Sequence, residues 1–214
     1  MELKDAICDL RYLLNRGYKR KTALRMVEDR YQLSSGKRNF LVRAVFSEEE
    51  AREHKIKLAC IEDVDGKLVA IDGYNILIGV EAALKGESVF LCDDGFVRDA
   101  SAIFGKYRVS KYTLPAVEQI LEVLKVHSPK EAIFIFDAQI SRSGELAALV
   151  RGKLQEFKLI GDAIAVPNAD YELSKYQLVC SSDRAIIKKV QKVVDLTRCV
   201  VKDIEKLPEC REEK

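Results

Sequence analysis

From about residue 56 onward the chain repeats a pattern that few folds can accommodate: a short apolar run, closed by a polar or acidic residue, then a segment with helical periodicity. The runs LVAID, AIFIFD, DAIAV, QLVCSSD and VVDL follow one another in this way. Helices are expected from about Ile76, from about Gly144, near Ala169 and from Arg184. Runs this short and this continuously apolar suit strands covered on both faces. Their alternation with helices predicts an α/β fold, a parallel sheet flanked by helices on both sides. Two further runs, Ile56–Ile61 and Lys67–Ile71, flank Asp65-Gly66, which reads as a hairpin-type turn. Residues 86–112 interrupt the alternation with SVFLC, then DDG, then a mixed Arg/Lys/Tyr segment. They are expected to form an insertion or flap, in which Asp93, Asp94 and Arg98 are either extra site residues or, as the favoured reading, part of a turn at Asp93-Asp94-Gly95.

The first 58 residues read differently. Apolar residues recur at helical spacing in Ile7, Leu10 and Leu14 and again in Ala23, Leu24, Val27 and Tyr31, with breaks at Gly17 and Ser34-Ser35-Gly36. About three short helices are expected, the third from near Lys37 to Phe46. Ser47 then stands before Glu48-Glu49-Glu50, where a serine caps a helix and acids favour its positive end. Residues 1–58 carry 14 Lys and Arg against 9 Asp and Glu, and the remainder 22 against 25, so the two parts are +5 and −3. Between Arg11 and Phe46, ten basic side chains, Arg20, Lys21 and Arg25 among them, face only Glu28 and Asp29. Such a face suits a polyanion such as nucleic acid and equally an ordinary solvated helical surface. Nothing identifies a recognition helix. The expected organisation is a basic helical domain over 1–58 and an α/β domain over 59–214.

With 48% hydrophobic and 33% charged residues, the 214-residue chain has the material for a packed core, which excludes disorder. No uncharged stretch approaches the roughly 18–20 residues of a membrane span, and the start MELKDAICDL lacks the apolar centre of a signal peptide. A soluble, cytoplasmic protein is expected. The six cysteines form no CxxC pair and have no histidine neighbours at zinc spacing, so all six read as thiols. Two histidines, His54 and His127, supply histidine catalysis poorly, and covalent Ser or Cys catalysis lacks a placed base. There is no glycine-rich nucleotide loop.

In a parallel sheet, ligands collect at the carboxyl ends of the strands, so the residues that close each run matter most. Here they are acidic: LVAI ends at Asp72, AIFIF at Asp137 and LVCSS at Asp183, while Asp170 opens the helix after DAIAVPN. A single such aspartate commonly caps the next helix. Several gathered at one rim repel one another unless a cation is present, and all-oxygen ligands suit magnesium or manganese. Asn75 lies three residues beyond Asp72, where its amide can ligate or orient the acid. The loop Gln139–Glu145 joins hydroxyls and Arg142 to a helix start that could hold a phosphate, or else Ser143 is simply its cap. Arg184, directly after Asp183, could contact substrate or pair with an aspartate.

The blocks DGYNIL (72–77), IFDA (135–138), NADYELSK (168–175) and CSSDRAII (180–187), in this order, resemble the NYN branch of the PIN-like ribonuclease superfamily. The resemblance covers roughly residues 67–197. The basic amino-terminal part lies outside it and is similar to a domain of unknown function that accompanies such modules. The resemblance implies a five-stranded parallel sheet whose strand-end acids hold one or two divalent ions that activate water to cut a phosphodiester. It makes Asp72, Asp137, Asp170 and Asp183 the catalytic ligands of Mg2+ or Mn2+. Asn75 and Ser182 become supporting residues, the serine orienting Asp183 or contacting phosphate. Arg142, Ser143, Arg184, Arg20, Lys21 and Arg25 are then candidate contacts to RNA, the expected partner. Metal-bound water needs no histidine, which fits this composition. Pairing into a homodimer is open.

Two rival functions compete with this reading. Asp63-Val64-Asp65-Gly66 offers the acid pair of a haloacid dehalogenase-type phosphatase, but Lys67 stands where that family expects a threonine or similar residue. A PIN-like module that binds RNA without cutting it is the alternative from another class. Retention of all four aspartates argues against it, because buried unpaired charges are costly.

Overall fold

The computed structural model describes residues 2–100 and 107–210. It opens with four helices: α1 (Glu2–Asn15), α2 (Arg20–Tyr31), α3 (Ser35–Ala44) and α4 (Glu48–Lys57). Ile7, Leu10 and Leu14 of α1 meet Ala23, Leu24 and Val27 of α2 and Phe40 and Leu41 of α3 in one buried cluster. This is the stripe that the helical spacing predicts. Ser34 caps α3 by accepting from the Lys37 amide, so this helix starts two residues before the expected position. Ser47 caps α4 by accepting from the Glu50 amide.

The α/β part follows in order: β1 (Leu58–Ala59), a 3-10 turn (Ile61–Val64), β2 (Leu68–Asp72), α5 (Gly73–Leu84), β3 (Val89–Leu91), β4 (Val97–Asp99), α6 (Thr113–His127), β5 (Glu131–Asp137), α7 (Ser143–Glu156), β6 (Gly161–Val166), α8 (Ala169–Leu173), β7 (Leu178–Cys180), α9 (Arg184–Lys189), β8 (Lys192–Val194), α10 (Leu196–Val200) and β9 (Glu205–Lys206). Six strands form a parallel sheet in the order β1-β8-β7-β2-β5-β6. The count exceeds the expected five because the two-residue β1 joins the edge beside β8.

The expected hairpin across Asp65-Gly66 does not form. Strand β1 pairs with β8, and β2 lies in the sheet interior between β7 and β5. Helix α4 takes Ile56 and Lys57, and Lys57 then donates to the carbonyls of Ile187 and Lys188. That contact satisfies acceptors left over at the carboxyl end of α9. Gly66, at φ +66, turns the chain from the 3-10 segment into β2.

From β2 the chain builds β5 and β6 to one side and β7 and β8 to the other. The order therefore reverses at β2, and the crevice at a parallel sheet's ligand end opens there. Both sheet faces are covered. Ile71, Phe134 and Phe136 pack on one side with Leu121 and Val150 of the helices, and Ala70, Ile135 and Val179 pack on the other with Ile186 and Ile187. Gly73 is required where α5 leaves the sheet, because a Cβ there would lie 2.3 Å from the Phe136 ring.

The interrupting segment holds an antiparallel hairpin, β3–β4, with β9 added parallel to β3. Its turn is Asp93-Asp94-Gly95, as expected, with Gly95 at φ +85. Residues 101–106 of the same segment lie outside the described residues. The hairpin anchors the helices to the sheet. Asp93 takes a two-pronged contact from Arg11 at 2.6 and 2.9 Å and a bond from the Phe46 amide. The reading of six thiols is corrected: Cys8 of α1 and Cys210 of the carboxyl-terminal tail form a disulfide, while Cys60, Cys92, Cys180 and Cys199 are free. The bonded pair lies 202 residues apart, so only the fold brings it together. Among the described residues, no helix is long and apolar enough to cross a membrane.

Candidate active site at the carboxyl ends of the sheet

The four predicted aspartates line one cleft of about 520 Å³, together with Tyr74 and Asn75. Each arrives by the same device. A strand of the parallel sheet ends, or the next helix begins, at the rim: β2 delivers Asp72, β5 Asp137, the first turn of α8 Asp170 and the loop after β7 Asp183. Register supports the convergence, since Asp72 lies level with Ile135 and Asp137 level with Val166.

The four carboxylates differ in environment. Asp72 is buried and accepts a bond of 2.8 Å from the Ser181 hydroxyl. Burial pushes its carboxyl up to about 7, and the charges of Asp183 and Asp170 add to the rise against the Ser181 bond. Asp183 caps α9 by accepting from the amides of Ala185 and Ile186. Asp170 pairs with Lys189 at 2.9 Å, and Asp137 accepts from the Gln139 amide. Among the described residues, no three His, Cys, Asp or Glu side chains stand close enough to hold a metal ion as they are. Lys189 engages Asp170, and amides of α9 engage Asp183. The donors are nonetheless all oxygen, the set that Mg2+ and Mn2+ take.

Asn75 and Ser182 meet, with the Asn75 Oδ1 accepting from the Ser182 amide at 2.8 Å and from its hydroxyl at 3.0 Å. The serine that touches the acids is a different one. The Ser181 hydroxyl donates to Asp72 and accepts from the Asp183 amide, tying two rim acids together. Ser182 instead offers its carbonyl to the buried Arg98 at 2.7 Å. Arg98 forks onto Asp94, which also bonds His54 at 2.7 Å. The loop carrying Asp183 is thereby fastened to α4.

Several expected substrate contacts lie elsewhere. Arg20 is tied into the fold by the Val45 carbonyl and Glu50, with its guanidinium over the Phe46 ring. Arg184 pairs with Glu50 at 2.6 Å, a glutamate of α4 and not an aspartate of the rim. Arg142 pairs with Glu145 at the solvent surface. Ser143 is the buried first residue of α7 and not its cap, a position taken by Arg142 at φ 65. Lys21 and Arg25 are exposed on α2, apart from the residues that line the cleft. Helix α3 contributes instead: Asn39, Val42 and Arg43 form part of the cleft lining. The charge count places Arg43 in a basic run but gives no sign that its helix faces the acids.

The fold and cleft define an α/β protein with an acidic crevice at the switch point of a parallel sheet, closed on one side by an amino-terminal helix. A family model described as "Domain of unknown function (DUF5616)" matches residues 61–199, and one described as "Protein of unknown function (DUF434)" matches residues 2–57. The chain belongs to the DUF5616 family. It is 41% identical over 198 residues to "Uncharacterized protein MJ0935" of Methanocaldococcus jannaschii, a match that spans 92% of this chain and 95% of that protein. No solved structure matches it.

Proposed function

We propose that this protein is a divalent-metal-dependent ribonuclease of the PIN-like type. The observation that carries the reading is that Asp72, Asp137, Asp170 and Asp183, at the carboxyl-end rim of four neighbouring strands, line one cleft. A bound Mg2+ or Mn2+ would supply a water acidic enough to attack a phosphodiester at neutral pH. Asp72 and Asp137 stand at adjacent strand ends, and Asp72 is the one buried acid of the four. Ser181 holds Asp72 and the Asp183 backbone in fixed relation, and Asn75 fixes the neighbouring Ser182. Asp170 and Asp183 would exchange part of their present contacts for the ion.

The engagement of Asp170 by Lys189 and of Asp183 by α9 amides also suits a module that binds RNA without cutting it. Cleavage of end-labelled RNA by wild type and Asp72→Asn, in Mn2+, in Mg2+ and in EDTA, separates the two. The ribonuclease reading expects cutting by wild type that needs metal and falls by about 100-fold or more in the variant, the scale on which loss of one key charge-stabilising group acts. RNA binding with no cutting in either metal would replace it with the binding module.

A further inference from the structure

We propose that Arg43 of α3 is a substrate-binding residue of the cleft, gripping a phosphodiester of the RNA strand, with Asp99 as its positioning residue. The inference rests on the ribonuclease reading and adds to it that the helical region completes the site. Arg43 lines the cleft with Asn39 on the side formed by α3, and the acids line the side formed by the sheet. Its guanidinium forks onto Asp99 of β4 at 3.0 and 2.8 Å. The Asp99 carboxylate is 1% exposed and the Arg43 side chain 27%, so the cationic end of this pair is the one that meets solvent at the cleft.

That arrangement addresses a difficulty of the acidic rim. Four carboxylates repel a polyanion, and a strand entering the cleft needs a positive contact beside them. A guanidinium carries five N–H donors, more than the two that fork onto Asp99, and a charged N–H donates strongly to a phosphate oxygen. Asp99 fixes the plane of the group in advance, which lowers the ordering cost on binding. Asn39, four residues earlier on the same helix, makes no side-chain hydrogen bond among the described residues and presents an amide to the same cleft. An amide of this kind can donate to a phosphate or ribose oxygen.

Removing Arg43 alone would leave Asp99 buried beside fewer partners, so the test compares two variants in which that acid is already neutral. Binding of a short fluorescein-labelled single-stranded RNA is followed by anisotropy in EDTA, for wild type, Asp99→Asn, Arg43→Gln/Asp99→Asn and Asn39→Ala. Asp99→Asn keeps the cation and is expected within about threefold of wild type. The double variant is expected to bind about tenfold more weakly than Asp99→Asn, with its salt slope lower by about 0.7, the value of one lost phosphate contact on a single strand. Asn39→Ala, which disturbs no buried acid, is expected to weaken binding about threefold.

Equal affinity and slope in Asp99→Asn and the double variant, or an unchanged Asn39→Ala, would overturn the inference. If those proteins still cut RNA in Mn2+, the ribonuclease reading stands without it. Failure of wild type to bind the RNA would overturn this inference, while cleavage by wild type in Mn2+ decides the ribonuclease reading separately.

Discussion

Two groups of carboxylates lie on either side of the loop that carries Asp183, and physics treats them in opposite ways. Where α4 meets the sheet, Glu50 and Asp94 are both paired with cations. Burial alone would raise the Glu50 carboxyl, but hydrogen bonds from Lys188, Arg184 and Arg20 together hold it down at about 2. Asp94 is lowered likewise, with burial outweighed by Arg98 and His54. In the cleft, Asp72 has burial and two like charges against the Ser181 hydroxyl and the Asn75 backbone amide, and it rises to about 7. The same residue types thus serve attachment in one place and leave an unmet demand for positive charge in the other. The cation proposed for the cleft would supply that charge.

The contrast can be broken first at its well-paired side. Arg98→Leu removes the cation from a fully buried Asp94 and the donor from the Ser182 carbonyl. It is expected to cost about 3–5 kcal/mol in urea unfolding, the usual penalty for orphaning a buried charge. A loss near that of a surface pair, about 1 kcal/mol, would mean that this junction does not hold the helical region in place.

At the cleft the sign reverses. The Asp72 carboxyl titrates near 3.8 ordinarily and at about 7 here, so the folded state holds its proton more tightly than the unfolded chain. Its contribution to stability is intact below about pH 4 and is lost as the pH rises through 7. Asp72→Asn keeps the shape and cannot ionise. In EDTA it is expected to match wild type at pH 4 and to exceed it at pH 8 by about 2–4 kcal/mol. A constant difference from pH 4 to pH 8 would remove the claimed strain.

Much of this was legible in the sequence, for identifiable reasons. The strands and helices follow from local periodicity, and the four aspartates follow from topology, because a parallel sheet brings its carboxyl ends to one edge wherever its strands fall in the chain. What stayed hidden depends on distant partners. Arg20 reads as a free cation until Val45 and Glu50, 25 and 30 residues on, are placed beside it. The Cys8–Cys210 bond joins the two ends of the chain. Ser181 and Ser182 are adjacent hydroxyls pointing to different partners, so the motif CSSD alone does not say which one touches Asp72. Ile56, Leu58 and Cys60 alternate like a strand, yet α4 extends through Lys57 because that end closes onto α9. The α3 side of the cleft belongs to the same class: its residues are ordinary helix residues until the hairpin β3–β4 fixes where the helix lies.

The most direct measurement is a calorimetric titration of Mn2+ into wild type and Asp72→Asn at pH 7.5. If the cleft's four aspartates form a cation site, wild type binds Mn2+ saturably and the variant binds at least about tenfold more weakly. Equal binding by both proteins, or none by either, would contradict it.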